Sequence, residues 1–331
     1  MGRKLVTVRT VDAIEPIPNA DAIEVAVFGG WRVVVKRHQF AVGERAVYFE
    51  VDSALPLDDS RFAFLAPRGT KTIDGAEFHV LRTAKLRGAL SQGLALPLHV
   101  VPEAADADDL AEALGVQLYE PPLPVDLAGS VRGAFPTHIV RKTDAERVQN
   151  LGPILPGFVA ADWYATEKLD GTSTTFIVEP DGLRVCSRNY ELIPTPQLTA
   201  VQVAERDGLR AGVPAGWVVQ GELYGPSVQG NRLARDRVEF AVFGMTRDGV
   251  AVPRAHWPGW ALEHAVPVYE HLVLAPTVTE AVAQVDGIRS LVAPGRLAEG
   301  VVWHRHDAIG VADLDDRACF KAISNTWLLK G

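Results

Sequence analysis

Apolar and polar positions alternate along Ile23-Glu24-Val25-Ala26-Val27-Phe28, break at Gly29-Gly30, and resume over Trp31-Arg32-Val33-Val34-Val35-Lys36. Alternation with a period of two predicts strands that bury one face. The paired glycines supply the positive φ that a two-residue hairpin requires. A Gly43-Glu44 turn and the run Ala46-Val47-Tyr48-Phe49-Glu50-Val51 add a further strand. Short strands joined by tight turns predict a small barrel in the first third of the chain, of the five-stranded OB type. Asp106 to Leu114 is expected to form a short helix that stops at Gly115. Glu120-Pro121-Pro122-Leu123-Pro124 interrupts regular structure and marks a linker. The reading divides the chain into residues 1–122, a linker over 123–136, and a second domain over 137–331.

In the second domain, Thr166 to Asp170 reads as extended, so Lys168 and Asp170 project from one face, and Gly171 permits a sharp bend behind them. Strands are expected at Thr175–Val178, from Leu183 into a polar loop at Asn189, at Trp217–Gly225, at Val238–Phe243, from Glu299 to Trp303, and at Cys319–Ile323. Leu198 to Arg206 is expected to be a helix that ends at Asp207-Gly208, and Asp248-Gly249 a hairpin turn. The fold class is α+β: an N-terminal OB-like barrel, then antiparallel sheets with helices.

Composition narrows the classes. The 331 residues suffice for two cores, and 47% hydrophobic with 22% charged residues is ordinary for a globular protein. No run approaches the ~18 apolar residues of a membrane helix, and Met1-Gly2-Arg3-Lys4-Leu5-Val6 lacks a signal-peptide core. The cysteines, Cys186 and Cys319, have no metal-type spacing, which fits a reduced, cytoplasmic setting. A net charge of -8 argues against indiscriminate coating of nucleic acid, although basic residues gather locally. Arg82, Lys85 and Arg87 sit beside Ser91-Gln92-Gly93, either as a solvated strand face or as a patch that tracks phosphates.

Lys168-x-Asp170-Gly171 by itself is also what a charged strand end running into a turn looks like. Its companions change the reading. EKLDG (167–171), SRN (187–189), GELYG (221–225), EFAVFG (239–244), EGVVW (299–303) and FKAI (320–323) occur in that order. The series resembles motifs I, Ia, III, IIIa, IV and V of the covalent nucleotidyltransferase superfamily, the ATP-dependent ligases and capping enzymes. The leading OB-like segment, with the phrases KTDAERVQN and KLRGALSQG, resembles the Deinococcus-type nick-sealing RNA ligases over nearly the whole chain. Two positions depart from the pattern. Cys319 stands where motif V usually has its first lysine, so Arg147 is the candidate to compensate, and Gly244 stands where motif IIIa often has aspartate.

The resemblance implies an ATP-grasp-like ligase domain in which Lys168 captures AMP from ATP, passes it to a 5′-phosphate end, and the enzyme seals that end to a 3′-hydroxyl. It implies Asp170 and Glu299 as acids for Mg²⁺ or Mn²⁺, and Lys321 as the cation on the α-phosphate. Glu167 and Glu222 are placed at the nucleotide, Glu222 on the ribose hydroxyls. Phe243 is placed on adenine, although its apolar strand would equally make it a core residue. Arg147 and Arg188 are forks for the triphosphate and the 5′-phosphate. Burial or a nearby cation is expected to lower the pKa of Lys168. His304 and His306 read as a plain strand face in preference to a metal pair. The implied partner is RNA or a nicked RNA/DNA duplex, with no membrane and a monomer by default. The competing readings are a DNA ligase or capping-type transferase, and an RNA-binding protein with a degenerate transferase domain.

Overall fold

The computed structural model describes residues 3–105, 109–120 and 129–330. The chain divides into two compact units, Met1–Pro122 with Leu328–Gly331, and Leu123–Trp327.

The regular structure of the first unit is mostly strand: β1 (Val6–Thr10), β2 (Ala13–Pro16), β3 (Ile23–Phe28), β4 (Trp31–Lys36), β5 (Arg45–Phe49), β6 (Ser53–Pro56), β7 (Lys71–Ile73), β8 (Ala76–Val80), β9 (Ala84–Leu86), β10 (Ala89–Ser91), β11 (Leu94–Pro97) and β12 (Gln117–Leu118). The β3–β4 hairpin closes at Gly29 (φ 58°) and Gly30 (φ 87°), with Phe28 opposite Trp31. The left-handed region costs a residue without Cβ nothing. The sheets run β2-β3-β4, β1-β5-β11 and β12-β6-β8-β7, with β9-β10 as a separate hairpin. Phe28, Trp31, Phe40 and Tyr48 form one buried cluster, and Phe49, Leu55, Phe62 and Leu110 belong to another.

Two expectations change here. Asp106 to Asp108 lie outside the described residues, and the rest of the expected helix is a turn. One helical hydrogen bond survives, from Leu114 N to Leu110 O (3.1 Å), because both leucines are buried. Of the expected linker, residues 123–128 lie outside the described residues. Its second half contains a strand, β13 (Val131–Ala134), that pairs with the second unit's sheet.

The second unit continues with β14 (Glu146–Arg147), β15 (Trp163–Lys168), β16 (Thr172–Glu179), β17 (Gly182–Cys186), β18 (Tyr190–Leu192), β19 (Trp217–Tyr224), β20 (Glu239–Arg247), β21 (Val250–Ala251), β22 (Gly300–Arg305) and β23 (Cys319–Ile323). Its longer helices are α1 (Thr199–Arg206) and α2 (Val278–Val285). A seven-stranded antiparallel sheet runs β13-β18-β17-β16-β19-β20-β21, and a four-stranded sheet runs β14-β23-β22-β15. The pair β14–β23 is parallel, an exception to the expected antiparallel pattern that puts Arg147 opposite Lys321.

Helix α2 was not marked by the sequence reading. Thr277 caps it by accepting from Glu280 N (3.3 Å), and Val278, Ala281, Val282 and Val285 bury one face at helical spacing. That face joins Ala165, Val301, Trp303 and Phe320 beneath the four-stranded sheet. Alternation then turns Lys168 and Lys321 to the opposite face of the sheet. Bridges Thr166–Val268 and Val242–Ala265 tie the two sheets together near the lysine. Among the described residues no helix is long and apolar enough to cross a membrane.

Candidate active site

Lys168 ends β15 opposite Gly300, so the residue before Gly300 reaches the lysine directly: Nζ donates to Glu299 Oε2 at 2.6 Å. At Gly300 a side chain would come 2.2 Å from Ala322 O, so glycine here lets β22 and β23 approach closely. Asp170 and Glu222 complete a crowd of three acids around one ammonium group. Burial works to lower the Lys168 pKa, but Glu299, Glu222 and Asp170 together outweigh it and raise it. The expectation of a lowered value is therefore corrected: in this state the lysine is held protonated by its acids. The same crowding, with burial first, pushes the Glu222 carboxyl up to about 8 and raises that of Asp170. Burial, then repulsion by Lys168 and Arg147, pushes Lys321 down to about 8.

Gly171 has a different reason from the bend proposed for it. A Cβ there would lie 2.2 Å from Leu223 O and 2.9 Å from Glu222 Cγ, so the link between β15 and β16 rides directly on β19. Gly171→Ala forces that backbone apart and is expected to cost about 1–3 kcal/mol. Urea unfolding would check this, as a fall in midpoint without a change in slope.

The remaining candidates are placed unevenly. Arg147 lies beside Lys321 and acts on its charge. Phe243 is half-buried against the cluster of Leu169, Tyr224 and Val266, so part of its ring is packed in the core and part is left accessible. Arg188 is exposed and bound to Asp144 at 2.6 Å. Glu167 faces away from Lys168. Its Oε2 accepts from Leu291 N (2.7 Å) and Val292 N (3.2 Å), while Oε1 is buried with no hydrogen-bond partner among the described residues. The basic cluster of the first unit is split. Arg82 pairs with Asp52 (2.9 Å) and lies over Tyr119, whereas Lys85 and Arg87 are exposed on the β9–β10 hairpin, with Arg87 at its turn.

Cys319 pairs across the strands with His304. His304 is half-buried, pushed down to about 3 by burial and by Arg254, and lies 3.0 Å from Thr166 Oγ1. His306 is exposed, and both histidines pack on the Tyr164 ring. Arg232 was missed by the sequence reading. Its Nε lies 3.5 Å from Asp170 Oδ2 and its guanidinium covers the Trp327 ring at 4.5 Å. Only its place in the stretch after GELYG could have drawn attention to it.

Among the described residues no three His, Cys, Asp or Glu side chains form a ready metal cage. Asp170 Oδ2, buried without a hydrogen bond, and Glu299 nonetheless fit a hard cation that keeps most of its waters and borrows phosphate oxygens.

A sheet pair that sets a half-buried lysine among carboxylates at the ends of its strands, preceded by a separate β-unit, defines a nucleotidyltransferase-type architecture. The family model for RNA ligase matches residues 161–323, and that for an OB-fold domain matches residues 5–98. A lysine-to-alanine variant of the Naegleria gruberi RNA ligase, solved with ATP and Mn, is 35% identical over 99% of both chains with a TM-score of 0.83. The same ligase solved with PPi is 35% identical over 99% of both chains, with a TM-score of 0.81. A glutamate-to-alanine variant, solved with AMP and Mn, is again 35% identical over 99% of both chains at 0.83. No curated protein sequence matches significantly. The chain belongs to the RNA ligase family.

Proposed function

We propose that this chain is an ATP-dependent RNA ligase of the Deinococcus-type nick-sealing kind, which joins 3′-hydroxyl and 5′-phosphate ends through lysyl-AMP. The observation that carries this reading is Lys168 Nζ at 2.6 Å from Glu299, with Asp170, Glu222 and Lys321 acting on its charge. The Naegleria ligase structures with ATP, AMP, Mn and PPi support nucleotide and metal use.

The residues divide the work as follows. Lys168 must give up its proton and attack the α-phosphate, with pyrophosphate leaving. Glu299, already in contact, takes the proton or turns it toward solvent. Asp170 and Glu299 would hold Mg²⁺ or Mn²⁺, whose charge would oppose the lysine's protonation and offset the phosphates. Lys321 and Arg147, side by side on a parallel strand pair, neutralise the phosphates as charge shifts to the leaving group. Glu222 accepts from the ribose, Phe243 packs on adenine, and the open Oε1 of Glu167 takes a donor from the base. Arg188, freed from Asp144, is available to the incoming strand.

Residues 1–122 are assigned to gripping RNA, with Lys85 and Arg87 on the hairpin toward phosphates, and residues 137–331 to adenylyl transfer. The enzyme is read as a cytoplasmic monomer. The test is sealing of nicked duplexes in which each strand is RNA or DNA in turn. Sealing is expected wherever the 3′-hydroxyl strand ends in RNA. Sealing of all-DNA nicks at the same rate would overturn the RNA assignment.

A further inference from the structure

We propose that Arg232, laid on Trp327, binds the 5′-phosphate of the RNA strand that accepts AMP, an inference that rests on the ligase reading above. Arg232 sits in the connection between β19 and β20, directly after the strand that carries Glu222. The backbone there takes positive φ at Ser227 (65°), Gln229 (43°), Gly230 (71°) and Asn231 (50°), and the non-glycine residues among them need a rigid frame to hold that conformation. The frame is present. Asn231 exchanges two 2.9 Å hydrogen bonds with the backbone of Arg235, whose guanidinium grips Glu239 and the carbonyl of Val292.

That anchored loop carries Arg232 to the edge of the acid cluster. Its Nε–Asp170 Oδ2 separation of 3.5 Å is long for a charged pair, against 2.6 Å for Arg188 and Asp144. The side chain keeps 43% of its surface exposed, so its capacity is not spent on Asp170. The indole of Trp327, 4.5 Å away, holds the planar group by one face and leaves its edge N–H groups to a ligand. A planar fork of this kind matches two phosphate oxygens at once.

Charge changes during the reaction call for a cation at this place. Once Lys168 carries AMP its nitrogen is a phosphoramidate and no longer positive, while Asp170, Glu222 and Glu299 remain. In the transfer step an oxygen of the 5′-phosphate attacks the α-phosphorus and a P–O–P anhydride forms. The P–N bond to Lys168 breaks, and its electron pair returns to Nζ, which takes up a proton. A phosphate entering past three acids needs a positive partner throughout. Lys321 and Arg147 serve the side of the departing pyrophosphate, and Arg232 is the cation recorded on Asp170 besides Lys168.

The test separates the steps in the full-length protein. Label from α-labelled ATP measures lysyl-AMP formation, and the isolated lysyl-AMP enzyme is then given a nicked RNA duplex bearing either a 5′-phosphate or a 5′-hydroxyl. Arg232→Ala is expected to label within about threefold of wild type but to transfer AMP about 10- to 100-fold more slowly. It should also lose the preference for binding 5′-phosphate over 5′-hydroxyl nicks. Arg232→Lys should recover part of the transfer, because charge returns without the fork, and Trp327→Ala should show a smaller loss in the same step. Wild-type transfer by Arg232→Ala, or labelling and transfer that fall equally, would overturn the proposal. Absence of label in the wild-type protein would instead overturn the ligase reading, and the proposal with it.

Discussion

Lys168→Ala is expected to abolish covalent capture of AMP from α-labelled ATP, with no residual label on the denatured protein. Wild type should carry an acid-labile adduct of one AMP. The loss is complete because no second amine can take the place: Lys321, the neighbouring lysine, lies on β23, two strands away across β22. Its charge acts on Lys168, but its backbone position is fixed by pairing with Arg147 and Val302. Circular dichroism would establish that the variant folds. The lysine is partly exposed, and its loss leaves Glu299 able to reach solvent rather than trapped. Label on Lys168→Ala at the wild-type level would reject the mechanism outright.

Glu299→Ala and Lys321→Ala are each expected to slow labelling by about 10²–10³-fold, the range found when one positioned charge is removed from a preorganised electrostatic site. Glu299 is hydrogen-bonded to Lys168 Nζ and Lys321 is coupled to Lys168 by charge, which suits the roles proposed for them at the nucleophile and the phosphates. Cys319→Ala should label nearly normally, since that side chain pairs across from the neutral His304 and offers no charge. The pH profile follows from the same site. Labelling should rise with pH as the Lys168 ammonium, whose pKa is raised by its acids, gives up its proton. It should level off above about pH 8, where the loss of charge on Lys321 cancels the further gain in neutral Lys168. In Lys321→Arg the rise should continue through that pH, because a guanidinium keeps its charge there. Rates of labelling between pH 6 and 10 check the shape. A plateau at the same pH in Lys321→Arg would assign the levelling to another group.

Much of the candidate site was legible because most of its charged residues sit at or near the end of an apolar run. Lys168 closes β15, Glu222 lies near the end of β19 and Glu299 immediately precedes β22, while Lys321 is within β23. Strand ends are where a polar side chain can leave the core without an unpaired burial. The hairpins at Gly29-Gly30 and Asp248-Gly249 were equally readable, since positive φ at both turn positions is a local requirement. Helix α2 escaped notice because its apolar stripe is short and lies in a region also rich in loop residues. The segment Asp106 to Leu114 shows the opposite error: Gly115 was read as the stop of a short helix, but burial of Leu110 and Leu114 needed only a single turn at Ala111–Gly115.

Sequence alone thus determined many of the strands, the hairpin turns at Gly29-Gly30 and Asp248-Gly249, and which charged side chains stand at or near strand ends, because periodicity and turn chemistry act within a few residues. The tertiary structure decided what those side chains meet. Lys168 and Glu299 are 131 residues apart and touch only because β15 and β22 pair in one register. Arg147 reaches Lys321 through a parallel pairing that no local pattern announces. Gly171 is required by a carbonyl on β19 rather than by its own turn, and Arg232 arrives at Asp170 on a loop whose sequence has no periodicity at all. The direction of the Lys168 pKa went against expectation for the same reason. Burial can be anticipated from a neighbouring apolar run, but the sum of three carboxylates depends on distances through space, and those exist only once the sheets have come together.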